Sequence, residues 1–346
     1  MRKLLLIIGM IFLLAVPVSA AEITAPVVPP SGTDLMPEDT GNFWDGLMEI
    51  LTDAVRMLRP DLAEAARICG GVMAIVLLIS LFRSLPGAAQ HAVDLAGAVS
   101  IGILLLKSTG TMVILGTNTT SELSAYGKLL LPVMTSAMAA QGGITASAAL
   151  YTGSAAFNVL LSNLISKLLI PMLYIFLALS AANAAAGEDT LKKMRDFVKW
   201  LIVWCLKTVL YIFTGYMSIT GVVSGATDAA ALKATKLTIS GMVPVVGGIL
   251  SDASEAVLVG AGVVKNTAGI YGMLAVLAVF TGPFLKIGMH YLMLKATGAV
   301  SSIFGSKQAN GLLQDFTAAM GLLLAMTGAV CLLLLISTVC FLREVG

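Results

Sequence analysis

Long apolar blocks alternate with short polar stretches along most of this chain. Blocks at about 66–82, 92–116, 155–182, 199–224, 267–298 and 315–342 have the length a helix needs to cross the hydrocarbon layer, roughly 20 residues. Pro283 lies inside the fifth, which predicts a broken span there. Two further apolar stretches, 129–150 and 242–264, are interspersed with Gly, Pro, Ser and Ala. Irregular backbone survives at membrane depth only where protein or a wet cavity satisfies its polar groups. Both stretches therefore predict re-entrant hairpins entering from the outer face. The predicted class is all-α, a polytopic helical membrane protein with two Pro/Gly-interrupted hairpins.

The N-terminal 65 residues follow a different pattern. Arg2 and Lys3 precede the apolar run 4–16, and small residues follow at cleavage spacing, which predicts a signal peptide over 1–20. Such a signal delivers the mature N-terminus to the extracytoplasmic side. Residues 21–40 are rich in proline and polar groups and read as a tether. From Asn42 the residues Phe43, Trp44, Leu47, Ile50, Leu51, Ala54, Val55 and Leu58 recur at helical spacing, with Asp45, Glu49, Asp53 and Arg56 mostly opposite. This predicts an amphipathic helix on the outer membrane surface or against a partner, ended by Pro60. Phe43, Trp44, Leu47 and Leu51 are its candidate docking residues. Residues 66–346 form the multispan domain.

Charge sets the sidedness. Lys192, Lys193, Arg195 and Lys199 place the stretch 183–199 in the cytoplasm by the positive-inside rule. A full crossing by 129–150 would move that stretch outside, which is a second reason to read it as a hairpin.

An internal repeat emerges at an offset of 112 residues, which pairs Pro132 with Pro244 and Pro171 with Pro283. The repeat units run over about 92–182 and 204–298. Matching interruptions in two halves point to a pathway at the repeat interface; a packing kink explains them equally well.

The composition, 58% hydrophobic and 12% charged, excludes a soluble domain. The net charge of +2 is spread over loops and helix ends, so no nucleic acid is expected. Cys69, Cys205, Cys331 and Cys340 form no CxxC pair, and His91 and His290 stand apart, so no metal is expected. No catalytic triad, HExxH or P-loop is present; neither enzymatic activity nor a cofactor is expected. Within the spans, Asp94, Lys207, Lys286 and Lys295 lie near enough to an end to snorkel. Lys107 and Lys167 sit more centrally, where a charge costs at least ~2.5 kcal/mol, and are expected to face a polar interior. With Pro132, Pro171, Pro244, Gly247, Gly248, Asp252, Lys265 and Pro283 they form the candidate lining of a passage.

The pattern Thr227-Asp228, Lys236, Val243-Pro244-Val245-Val246-Gly247, Asp252-Ala253 and Lys265-Asn266-Thr267 with Gly269 and Gly272 resembles the stage III sporulation protein AE family of endospore-forming bacteria. Phe43-Trp44-Asp45 resembles that family's aromatic-Trp-Asp segment after the signal. The resemblance implies a multi-pass protein of the mother-cell-derived membrane around the forespore. It further implies membership of a channel or secretion-like complex joining mother cell and forespore, required for forespore development. The implied partners are membrane lipid, other stage III sporulation membrane proteins and an operon-encoded ATPase, with the chain in an oligomeric assembly. A self-sufficient secondary transporter built on the two repeats and a passive membrane scaffold are the competing expectations.

Overall fold

The computed structural model describes residues 26–85, 90–140, 144–219, 267–304 and 307–343. Among these the secondary structure is helical throughout. The helices are α1 (Pro30–Thr33), α2 (Phe43–Met57), α3 (Arg59–Arg83), α4 (Gln90–Ala140) and α5 (Ile144–Leu164). A π-turn (Ile165–Leu169) leads from α5 into α6 (Ile170–Ala186); α7 (Asp189–Ile219), α8 (Thr267–Phe304) and α9 (Lys307–Arg343) follow. Six candidate spans result: Arg59–Arg83, Ala92–Ala139, Ser147–Ala186, Asp189–Met217, Gly269–Phe304 and Lys307–Leu342. The chain is therefore a multi-pass membrane protein; five of the six expected spans fall within α3, α4, the α5–α6 stretch, α8 and α9, and the described part of 199–224 lies in α7.

Several boundaries differ from expectation for physical reasons. The stretch 117–128, between the expected span 92–116 and the stretch 129–150, is helical. Its Thr117, Thr119 and Thr120 hydroxyls donate to the carbonyls of Val113, Leu115 and Gly116 at 2.7–2.9 Å, so polar side chains are satisfied without leaving the helix. The hairpin expected at 129–150 is not a separate element. Residues 129–140 complete the 51-residue helix α4, and 144–150 begin α5. Pro132 is accommodated because it and Lys128, whose carbonyl it deprives of a donor, both lie on the outward face. The break expected at Pro283 is likewise absent, since α8 is continuous through it. At Pro171 an interruption does occur, as the π-turn whose last bond runs from the Ile170 N–H to the Ile165 carbonyl. The paired prolines thus act differently. The stretch 242–264 and the signal segment 1–20 lie outside the described residues.

The amphipathic helix is α2, capped by Asn42, whose side chain accepts from the Trp44 N–H at 3.1 Å. Pro60 does not end a helix but sits in the first turn of α3, where its missing N–H is harmless. Gly187 closes α6 in the left-handed conformation, φ 69°, which favours glycine.

The core is α9. Every residue from 321 to 342 is buried, enclosed by α4, α5, α6, α7 and α8. A helix apolar on all sides requires such a surround. Its hydroxyls on Thr327, Ser337 and Thr338 bond to carbonyls within α9 itself. Glycines set the register: Gly102, Gly116 and Gly127 of α4 meet Leu312, Leu323 and Leu334 of α9, so these helices run parallel. Gly269 meets Leu342 and Gly298 meets Leu313, making α8 antiparallel to α9. In the same way Gly97 against Ile79 and Gly71 against Leu104 pair α3 and α4 antiparallel.

Candidate functional site

Two ends of the bundle carry its polar chemistry. At one end α7 and α9 are joined by Arg195, whose guanidinium lies 2.7 Å from Asp315 Oδ2, with side chains only 11% and 13% exposed. Arg195 also holds Asp196 at 2.7 Å. Arg83 faces the buried Asp94 at 3.6 Å, tying the end of α3 to the start of α4. Lys192, Lys193 and Lys199 lie in the same region of α7.

At the opposite end meet the end of α4, the start of α5, the end of α7, the start of α8 and the end of α9. Asn158 of α5 donates to the Ser124 carbonyl of α4 at 3.0 Å, and Tyr216 Oη of α7 donates to the Ala149 carbonyl at 2.8 Å. Tyr126 Oη, Ser154 Oγ and Asn158 Oδ1 are buried and have no hydrogen-bond partner among the described residues.

The N-terminal segment is fastened to this end. A Cβ on Gly32 would lie 2.8 Å from the backbone nitrogen of Val279, so α1 abuts the α8 backbone itself. Val279 is the residue whose carbonyl Pro283 leaves without its helical donor. Leu35 is buried beside Gly282, and Ser31 donates to the Glu122 carboxylate of α4. Gly32, Leu35 and Pro37 of this segment are consequently packed, where a loose tether was expected. α2 continues along α8, with Gly46 against Leu274, and Asp61 at the start of α3 meets Lys286 Nζ at 2.6 Å. Because these two contacts advance in the same direction along both segments, α2 and α3 stand upright beside α8. The expected position flat on a membrane surface is not adopted.

The sequence-predicted residues separate accordingly. Lys107 and Lys167 point away from this chain's own bundle, so the interior placement expected for them is not found. Pro132 and Pro171 are exposed and Pro283 is buried, so the three are not gathered on one lining. Pro244, Gly247, Gly248, Asp252 and Lys265 lie outside the described residues. Of the docking residues, Phe43 is buried and Leu47 half-buried against the bundle, whereas Trp44 and Leu51 are exposed. Lys286, expected to snorkel, is instead paired with Asp61. The Arg195–Asp315 and Asp61–Lys286 pairs escaped the sequence reading, because nothing local signals partners 120 or more residues apart.

The comparison with known proteins follows the same extent of chain. Residues 34–343, from the packed N-terminal segment to the end of α9, match the family described as stage III sporulation protein AE. The chain belongs to that family. It is 24% identical over 204 residues to the stage III sporulation protein AE of Bacillus subtilis (strain 168), a match covering 59% of this chain and 51% of that protein. The alignment thus spans about half the length of that curated relative. No solved structure matches the chain. Family membership assigns the bundle to sporulation, and all six candidate spans lie within the matched region.

Proposed function

We propose that this protein is a membrane subunit of a channel or secretion-like assembly that joins mother cell and forespore during sporulation. It would reside in the mother-cell-derived membrane around the forespore, with other stage III sporulation membrane proteins and an operon-encoded ATPase as partners, and would carry out no catalysis itself. The observation that carries this reading is the family match over residues 34–343. The enclosed helix α9 supports a subunit role, since the axis of the bundle is filled by side chains and a path for solute would have to form along outer surfaces. The outward Lys107 and Lys167 support it too, because charged side chains at membrane depth favour protein or water over acyl chains. The basic end with Lys192, Lys193 and Lys199 would face the mother-cell cytoplasm, and α2 the space between the membranes.

The test is complementation. In a sporulating host lacking its own family member, this chain should restore forespore development, and a cysteine at Thr52 should react with an impermeant maleimide while one at Lys193 should not. Unrestored sporulation by a stably inserted chain contradicts the role, and reversed labelling contradicts the sidedness. A self-sufficient transporter is the second reading, favoured by the π-turn before Pro171, an interruption of one span of the kind frequent at functional sites.

A further inference from the structure

On α7 the rings of Phe197, Trp200 and Trp204 form a ladder on the face turned away from the bundle. The centroids of Phe197 and Trp200 lie 5.8 Å apart with planes 28° from parallel, and those of Trp200 and Trp204 lie 6.2 Å apart at 22°. The three residues are 58%, 56% and 52% exposed even though stacking covers part of each ring. Steps of three and four residues place them on one side of the helix, opposite the buried Ile202, Leu206 and Phe213. Of the six candidate spans among the described residues, α7 contains the least enclosed.

A lysine stands at each end of the ladder. Lys193 is exposed one turn before Phe197, and Lys207 is half-buried about one turn after Trp204. Unbroken apolar sequence begins after Lys199, which sets the edge of the hydrocarbon layer near Trp200. Phe197 then lies at headgroup depth and Trp204 about 6 Å inside, in the zone where amphipathic rings gather. Lys207 lies about 10 Å inside. Helical side chains lean toward the N-terminus of their helix, so its stem runs back along the ladder toward the basic end.

The acids nearby are otherwise engaged. Asp196 is held by Arg195 at 2.7 Å, and Arg195 also holds Asp315. Glu188 and Asp189 stand one turn beyond the lysines at the start of α7, where negative charge suits the helix N-terminus. A zwitterionic headgroup would bring its own cation against Lys193 and Lys207; an anionic one brings only the complement. Each indole adds an N–H donor that ester and phosphate oxygens accept and acyl chains do not.

We propose that this face of α7 binds one anionic phospholipid of the leaflet at the basic end. Its phosphate lies between Lys193 and Lys207, its glycerol esters face the indoles of Trp200 and Trp204, and its chains run on past the exposed Tyr211. The inference requires α7 to span the membrane and does not require the sporulation role.

The experiment uses the full chain with Trp44→Phe, which leaves Trp200 and Trp204 as the only tryptophans. The chain is reconstituted in phosphatidylcholine liposomes, into which brominated phosphatidylglycerol or brominated phosphatidylcholine is titrated at equal mole fractions. The anionic lipid should quench with an apparent affinity at least about fivefold higher, the difference that one lysine near a membrane surface supplies. Lys193→Gln with Lys207→Gln should bring that ratio close to one, and Lys193→Glu alone, at an exposed position, should lower it. Lys192→Gln, on the same turn but off the ladder, should leave it unchanged. Equal quenching by the two lipids overturns the proposal, as does a preference that survives in the double glutamine variant. Loss of the preference in Lys192→Gln also overturns it, because diffuse charge would then be the cause. Little quenching by either lipid means that protein covers the ladder, and refutes a lipid site.

Discussion

Arg195 and Asp315 are both largely enclosed at the basic end, and their pairing fixes the first turns of α7 against the central helix. Removing one member leaves the other buried without its counter-charge. Arg195→Ala is therefore expected to lower unfolding free energy by about 3 kcal/mol, and Arg195→Met combined with Asp315→Leu by much less. Denaturant titration in micelles separates the two cases; equal losses for both variants would show that the pair is not the cause. Gly32 makes a different demand, for space beside a backbone that cannot move aside. Gly32→Val should release α1, seen as new thiol reactivity of a cysteine placed at the buried Leu35. Unchanged protection would mean that α1 is held by its other contacts. Of these features the sequence displayed only the residue types. Lys286 sits in an apolar run like any snorkelling lysine, and its proximity to Asp61 comes from the upright packing of α3 on α8.

At the scale of elements, spans were legible because length and hydropathy alone define them. Less legible were the connections. Apolar residues rich in Gly, Ser and Ala read as a hairpin at 129–150, yet the same small residues let long helices pack closely. Gly153 shows the second use: a Cβ there would sit 2.0 Å from the ring of Tyr216. Gly153→Leu should separate α5 from α7 and lower stability by roughly 1–3 kcal/mol, with Tyr216→Phe losing only the hydroxyl bond, about 1 kcal/mol. Thermal melts of the two variants in one detergent check the order, and a larger loss for Tyr216→Phe would contradict it. The amphipathic pattern of α2 was legible as well. Which of its apolar residues stay free was not, because sequence spacing cannot tell two adjacent apolar faces apart, and only contact with α8 separates Phe43 from Trp44.

For the whole molecule, the decisive feature is a bundle wrapped around one apolar helix. Such an arrangement holds the six candidate spans of the described residues together and leaves chemistry to the surfaces: a basic end, the outward Lys107 and Lys167, and the open stripe on α2. A subunit that contributes surfaces to a larger assembly fits this form, whereas a transporter working alone would need its central helix to give way. The most direct measurement is solute flux through liposomes containing the purified full-length chain and no other protein. The account predicts flux no greater than in empty liposomes for ions and small metabolites alike. Saturable flux that is lost in Lys167→Ala or Pro171→Ala, with the fold intact, would contradict it.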